Sequence, residues 1–74
     1  MAKYHSITDF RTSVQSRAES GQSTRFTQGR DGMTGAAIRC ETKKDAVRMA
    51  ARIHRLYDQV YVDGSDVKIL QKIG

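Results

Sequence analysis

Three side chains in this 74-residue sequence could do nucleophilic or metal-bound chemistry: Cys40, His5 and His54. A cysteine acts as a nucleophile when its thiol pKa is lowered. Arg39 and Lys43 lie near Cys40 in sequence and would push it that way. Cys40 also alternates with Ile38, however, and that spacing reads as a small buried side chain. No spacing ties either histidine to Cys40 or gives a metal-ligand pattern. Asp63-Gly64-Ser65-Asp66 superficially resembles part of a calcium loop, but lacks the ligand series and closing glutamate. Gly29-x-x-Gly32 is too short for a dinucleotide or phosphate loop. The expectation is a protein that is not an enzyme, with no catalytic residues, no metal ligands and no cofactor.

The other chemistry-bearing residues are cations. Lys44, Arg48, Arg52 and Arg55 recur at three- and four-residue steps. At about 100° per residue they fall between about 160° and 240° from Ala46. Ala50, Ile53 and Tyr57 fall within about 40° of it. The four cations therefore form a ridge opposite an apolar stripe. Arginine suits bidentate contacts with phosphate or guanine, so this ridge is the first candidate for a nucleic-acid surface. Arg39, on the wet side of its strand, is a candidate extension of it. The plainer reading is a solvated helix face, because charges belong opposite a core and Asp45 and Asp58 dilute the field.

No known nucleic-acid module accompanies the ridge. Zinc-finger spacing and a Gly-x-x-Gly clamp loop with its fold are missing, as is the aromatic-and-basic strand pair of RNA-binding sheets. A helix-turn-helix needs two adjacent helices, whereas a β-like segment precedes this one. A ribbon-helix-helix needs a second helix afterwards, and Asp63-Gly64 arrives too soon. The second functional reading is a protein-protein adaptor or inhibitor acting through an edge strand or helix surface. Its candidate interface residues are Tyr61, Phe26, Arg25 and Arg30. Size and style suit an accessory protein of a compact genome, such as a phage or plasmid.

These residues need elements to position them. Thr42, with Asp45 three residues on, is a capping-box-like start. Ala46, Met49, Ala50, Ile53, Leu56, Tyr57 and Val60 then recur with helical spacing, which predicts an amphipathic helix over about 43–58. Before it, Met33 to Cys40 alternates, with Ala36, Ile38 and Cys40 on one face and Ala37, Arg39 and Glu41 on the other. Asp31-Gly32 is a strong turn signal, so 23–28 and 34–41 are expected to form a hairpin. Upstream, Phe10 and Val14 mark a helix with a thin apolar face, capped by Ser6 or Thr8. Lys3 to Thr8 reads as a short strand before it. The tail holds two β-like runs around Asp63-Gly64-Ser65-Asp66, either a hairpin or one strand at 66–71 entered by a loop.

The expected fold is α+β, a small antiparallel sheet packed against the 43–58 helix. Read generously, the order is β-α-β-β-α-β, the ferredoxin-like arrangement. One domain is expected over 1–74, with the polar stretch 12–32 either ordered around one edge strand or mobile. The composition sets the wider limits: 13 Lys/Arg against 8 Asp/Glu, a net charge of +5, one cysteine and no proline or tryptophan. That charge fits nucleic acid or an acidic protein surface. No run approaches the roughly 20 apolar residues of a membrane span. A lone thiol and no signal-peptide pattern make a soluble, cytoplasmic protein the expectation. So small a chain buries only about 60% of its extended surface, which makes a homodimer a reasonable stabiliser.

Overall fold

The computed structural model describes residues 4–29 and 32–73. The chain runs α1 (Ile7–Arg17), β1 (Ser23–Gln28), β2 (Met33–Arg39), α2 (Lys43–Ile53), β3 (Gln59–Asp63) and β4 (Asp66–Lys72). The four strands make one antiparallel sheet in the order β1-β2-β4-β3. The result is a small α+β domain in which the sheet packs against two helices.

Both helices start where a hydroxyl can take an orphan backbone N–H. Ser6 Oγ accepts from the Asp9 amide at 3.1 Å, and Thr42 Oγ1 accepts from the Asp45 amide at 3.1 Å. Each helix buries one stripe: Phe10 and Val14 from α1, and Ala46, Met49 and Ile53 from α2. These meet Ala36, Ile38, Cys40, Val67 and Ile69 from the central strands. Both helices therefore cover the same face of the sheet.

The chain passes twice through a helix followed by a hairpin, and the halves meet at β2 and β4. The hydrogen bonds that lengthen this central ladder come as a matched pair. The Cys40 amide donates to the Ser65 carbonyl at 2.9 Å, and the Ile73 amide donates to the Gly32 carbonyl at 3.1 Å. The second hairpin turns through Gly64 and Ser65, with Gly64 at φ +63°, the sign that primed hairpin turns require at this position.

Three expectations need correction. The N-terminal strand is reduced to a single parallel bridge between Tyr4 and Ile73, because Ser6 already caps a helix beginning at Ile7. The order is thus α-β-β-α-β-β. Secondly, β2 ends at Arg39 rather than 41. Thirdly, α2 ends at Ile53, not 58. Its apolar periodicity continues, but other bonds capture the chain. Tyr57 is buried, and its hydroxyl lies 2.8 Å from Ser13 Oγ on α1. The Asp58 amide donates to Gln71 Oε1 at 2.9 Å, while the Asp58 carboxylate accepts from Gln71 Nε2 and the Lys72 amide. Gln71 is wholly buried, and these bonds with one to the Lys72 carbonyl satisfy its amide. The tail resolves as the hairpin alternative.

The thin apolar face of α1 is supplemented by an aromatic cluster. Tyr4 stacks on Tyr57 at 5.7 Å between ring centres, and Phe10 meets both rings edge-on. Ser13 Oγ lies within hydrogen-bonding distance of both tyrosine hydroxyls. Such aromatic pairs add about 0.5–1.5 kcal/mol each beyond their buried area.

Candidate nucleic-acid interface

Lys44, Arg48 and Arg52 lie along α2 at four-residue steps, all exposed. Arg55 is exposed in the turn that follows, since the helix has ended by then. The ridge is not purely basic. Arg48 and Arg52 line a hollow of about 250 Å³ beside Glu19, Glu41 and Asp45. Arg52 Nη1 also donates to the Glu19 carboxylate. Both partners are more than half exposed, so the pair adds only about 0–1 kcal/mol to stability. Its larger effect is to offset one of the ridge's charges.

Arg39 does not extend this ridge. It sits at the other parity of β2 from Ile38, on the sheet face that the helices leave uncovered. Arg25 of β1 shares that face, and a single carboxylate organises both arginines. Asp66, 13% exposed, accepts from Arg25 Nη2 at 3.2 Å and Arg39 Nε at 3.3 Å, with Lys68 Nζ at 4.0 Å. Three cations from three adjacent strands therefore surround one anion.

The pairing register sets out the rest of this face. Arg25 lies opposite Ala37, Ala37 opposite Lys68, and Lys68 opposite Tyr61. One row across all four strands thus reads cation, small residue, cation, aromatic. The row towards the other end of the strands reads Thr27, Gly35, Leu70 and Gln59. The small residues Gly35 and Ala37 floor a shallow depression of about 280 Å³ walled by Thr27, Lys68, Leu70 and Tyr61. An ideal Cβ at Gly35 would fall 2.4 Å from Thr27 Oγ1, so close packing favours glycine there. Tyr61 is half exposed at the rim. Lys72, paired with Met33, adds another exposed cation beyond.

The remaining candidates are dispersed. Phe26 packs against the core on the helix-covered face, and the Arg11 guanidinium sits 5.3 Å over its ring. Arg30 lies outside the described residues. Sequence reasoning missed Lys68, Lys72 and Asp66. The usable signal was the alternation in 66–72: Val67, Ile69 and Gln71 face inward, so Asp66, Lys68 and Lys72 face the other way.

Cys40 is buried, and Gln22 Nε2 donates to its sulfur at 3.6 Å. Burial pushes its thiol pKa up, and the carboxylates of Asp45, Asp66 and Glu19 add to the shift. The basic neighbours in sequence do not win. His54 caps the C-terminus of α2 and His5 is exposed. Among the described residues no cluster of histidine, cysteine and carboxylate side chains could hold a metal ion, and no helix is long and apolar enough to cross a membrane. Comparisons with protein-family models, curated proteins and solved structures find no match.

Proposed function

We propose that this protein binds nucleic acid and holds it chiefly by charge on the phosphate backbone. The observation behind this reading is the display of cations on both broad faces, all of them exposed except the partly covered Lys68. Lys44, Arg48, Arg52 and Arg55 lie on the helical side, and Arg25, Arg39, Lys68 and Lys72 on the sheet side. A regulatory or accessory role by binding suits a small chain that displays its charged groups on its surface. The fold reading follows the same lines: moving the first strand of the ferredoxin-like β-α-β-β-α-β order to the end produces the observed α-β-β-α-β-β order.

The test is titration of labelled duplex and single-stranded oligonucleotides at two salt concentrations. Binding should weaken steeply with salt, because each neutralised phosphate releases condensed counterions. A Lys44→Ala/Arg48→Ala/Arg55→Ala variant should show a shallower salt slope if the helix ridge makes phosphate contacts. Absence of binding to any oligonucleotide at low salt contradicts the proposal.

A second reading is strand addition by a protein partner or a second copy. It is favoured by β1 and β3 standing at the sheet edges, with one side of each backbone available for pairing. A solution mass of one chain at working concentration argues against the homodimer.

A further inference from the structure

We infer that the uncovered sheet face is a binding site for single-stranded nucleic acid, with Tyr61 as the platform on which a base stacks. The inference rests on the nucleic-acid reading above and names the surface and the form of the ligand.

Three observations converge on that occupant. The first is charge complementarity. Arg25, Arg39 and Lys68 are gathered around Asp66, and Lys72 stands beyond them, so the face carries more positive than negative charge even with Asp63 and Asp66 counted. The second is shape. Gly35, between Thr27 and Leu70, and Ala37, between Arg25 and Lys68, keep the centre low, leaving a shallow depression whose charged lining residues are Lys68 and Asp63. The third is the exposed ring of Tyr61, in register with Lys68 and at the rim of that depression. Cationic tracks for the backbone combined with aromatic rings for the bases are how sheets hold single strands. A duplex keeps its bases stacked on one another, so it could use the cations but not the ring.

Asp66 has a specific part in this arrangement. Its carboxylate holds the Arg25 and Arg39 side chains over the face before any ligand arrives. It is a positioning residue, acting through the two arginines it holds, since its own charge repels phosphate.

The test uses the full chain with fluorescein-labelled oligo(dT) and oligo(U) of about 12 nucleotides, and a mixed-sequence duplex of the same length, read by anisotropy. Single strands of either sugar should bind at least several-fold more tightly than the duplex. Tyr61→Ala should weaken single-strand binding about tenfold, while Tyr61→Phe keeps most of it. Lys68→Ala should lower the single-strand salt slope by about 0.7. Circular dichroism confirms that each variant is folded. Tyr61→Ala binding single strands like the parent overturns the inference. So does equal or tighter binding of the duplex, sensitive only to Lys44, Arg48 and Arg55; in both cases the nucleic-acid reading survives. Failure of every oligonucleotide to bind removes both.

Discussion

The two basic surfaces of this protein are built differently. The ridge comes from one continuous segment: Lys44, Arg48 and Arg52 share one face of α2 because they are spaced by four, and Arg55 follows in the turn. The sheet face is assembled from four strands, with Arg25 and Lys68 brought together across 43 positions of sequence. The ridge borders Glu19, Glu41 and Asp45, which cut into its field, and carries no exposed tyrosine or phenylalanine. The sheet face collects its cations around Asp66 and adds Tyr61. A charge count along the chain favours the ridge. Geometry favours the sheet, because the right kinds of group stand beside one another there.

The largest expected effect removes both surfaces together. Phe10 is wholly buried under α1 and supports the Tyr4–Tyr57 cluster. Phe10→Ala should cost about 3–5 kcal/mol, read as the shift of the urea midpoint by circular dichroism. In so small a domain that loss should unfold much of the population and abolish binding. Persistent binding by an unfolded chain would show that neither surface matters.

The next effect separates the two surfaces. An Arg25→Ala/Arg39→Ala/Lys68→Ala variant should lower the single-strand salt slope by about 2, roughly 0.7 for each cation. The Lys44→Ala/Arg48→Ala/Arg55→Ala variant should change it by less. The reverse ranking would move the site to the helix.

Two smaller effects sharpen the account. Asp66→Asn, whose side-chain oxygen can still accept from Arg25 and Arg39, should tighten single-strand binding a few-fold by removing a repulsive charge, whereas Asp66→Ala should release both arginines and weaken it; stability should change by about 1 kcal/mol or less, since Arg25 and Arg39 are more than half exposed. Unchanged affinity would mean that phosphates never approach Asp66. Alkaline pH should act on the core instead. Burial pushes the pKa of both Cys40 and Tyr57 up, with the Ser13 hydrogen bond partly offsetting the shift at Tyr57. Folding therefore holds their protons more tightly than the unfolded chain does. The associated stability is fully present below the unfolded pKa values and declines as pH rises through about 9 to 10 and beyond. Urea midpoints between pH 7 and pH 10.5 should fall, and Cys40→Ala should flatten the first part of that fall. For the same reason a thiol reagent at neutral pH should label native Cys40 slowly and urea-unfolded protein fast.

The limits of the sequence reading follow the same contrast between local and distant order. Thr42 as a cap, the stripe from Ala46 to Ile53 and the wet side of β2 at Arg39 were all legible, because each depends on neighbours within one element. The end of α2 was not legible. It depends on Gln71, thirteen residues beyond Asp58, and on Ser13, which lies on another helix. Gln71 is polar, yet it is wholly buried in the structure. The alternation of Val67 and Ile69 was enough to turn Lys68 outward, a signal that the sequence reading left unused, and nothing local says that β4 pairs with β2. Only that pairing sets Lys68 beside Arg39 and Arg25 and turns scattered charges into one surface.

The most direct test of this account is an NMR titration of ¹⁵N-labelled protein with oligo(dT), following backbone amide shifts at low salt. The account predicts saturable shifts concentrated at Arg25, Ala37, Arg39, Tyr61 and Lys68, with the amides of α2 moving little. Shifts confined to 43–55, or none at a protein concentration where the oligonucleotide is in excess, would contradict it.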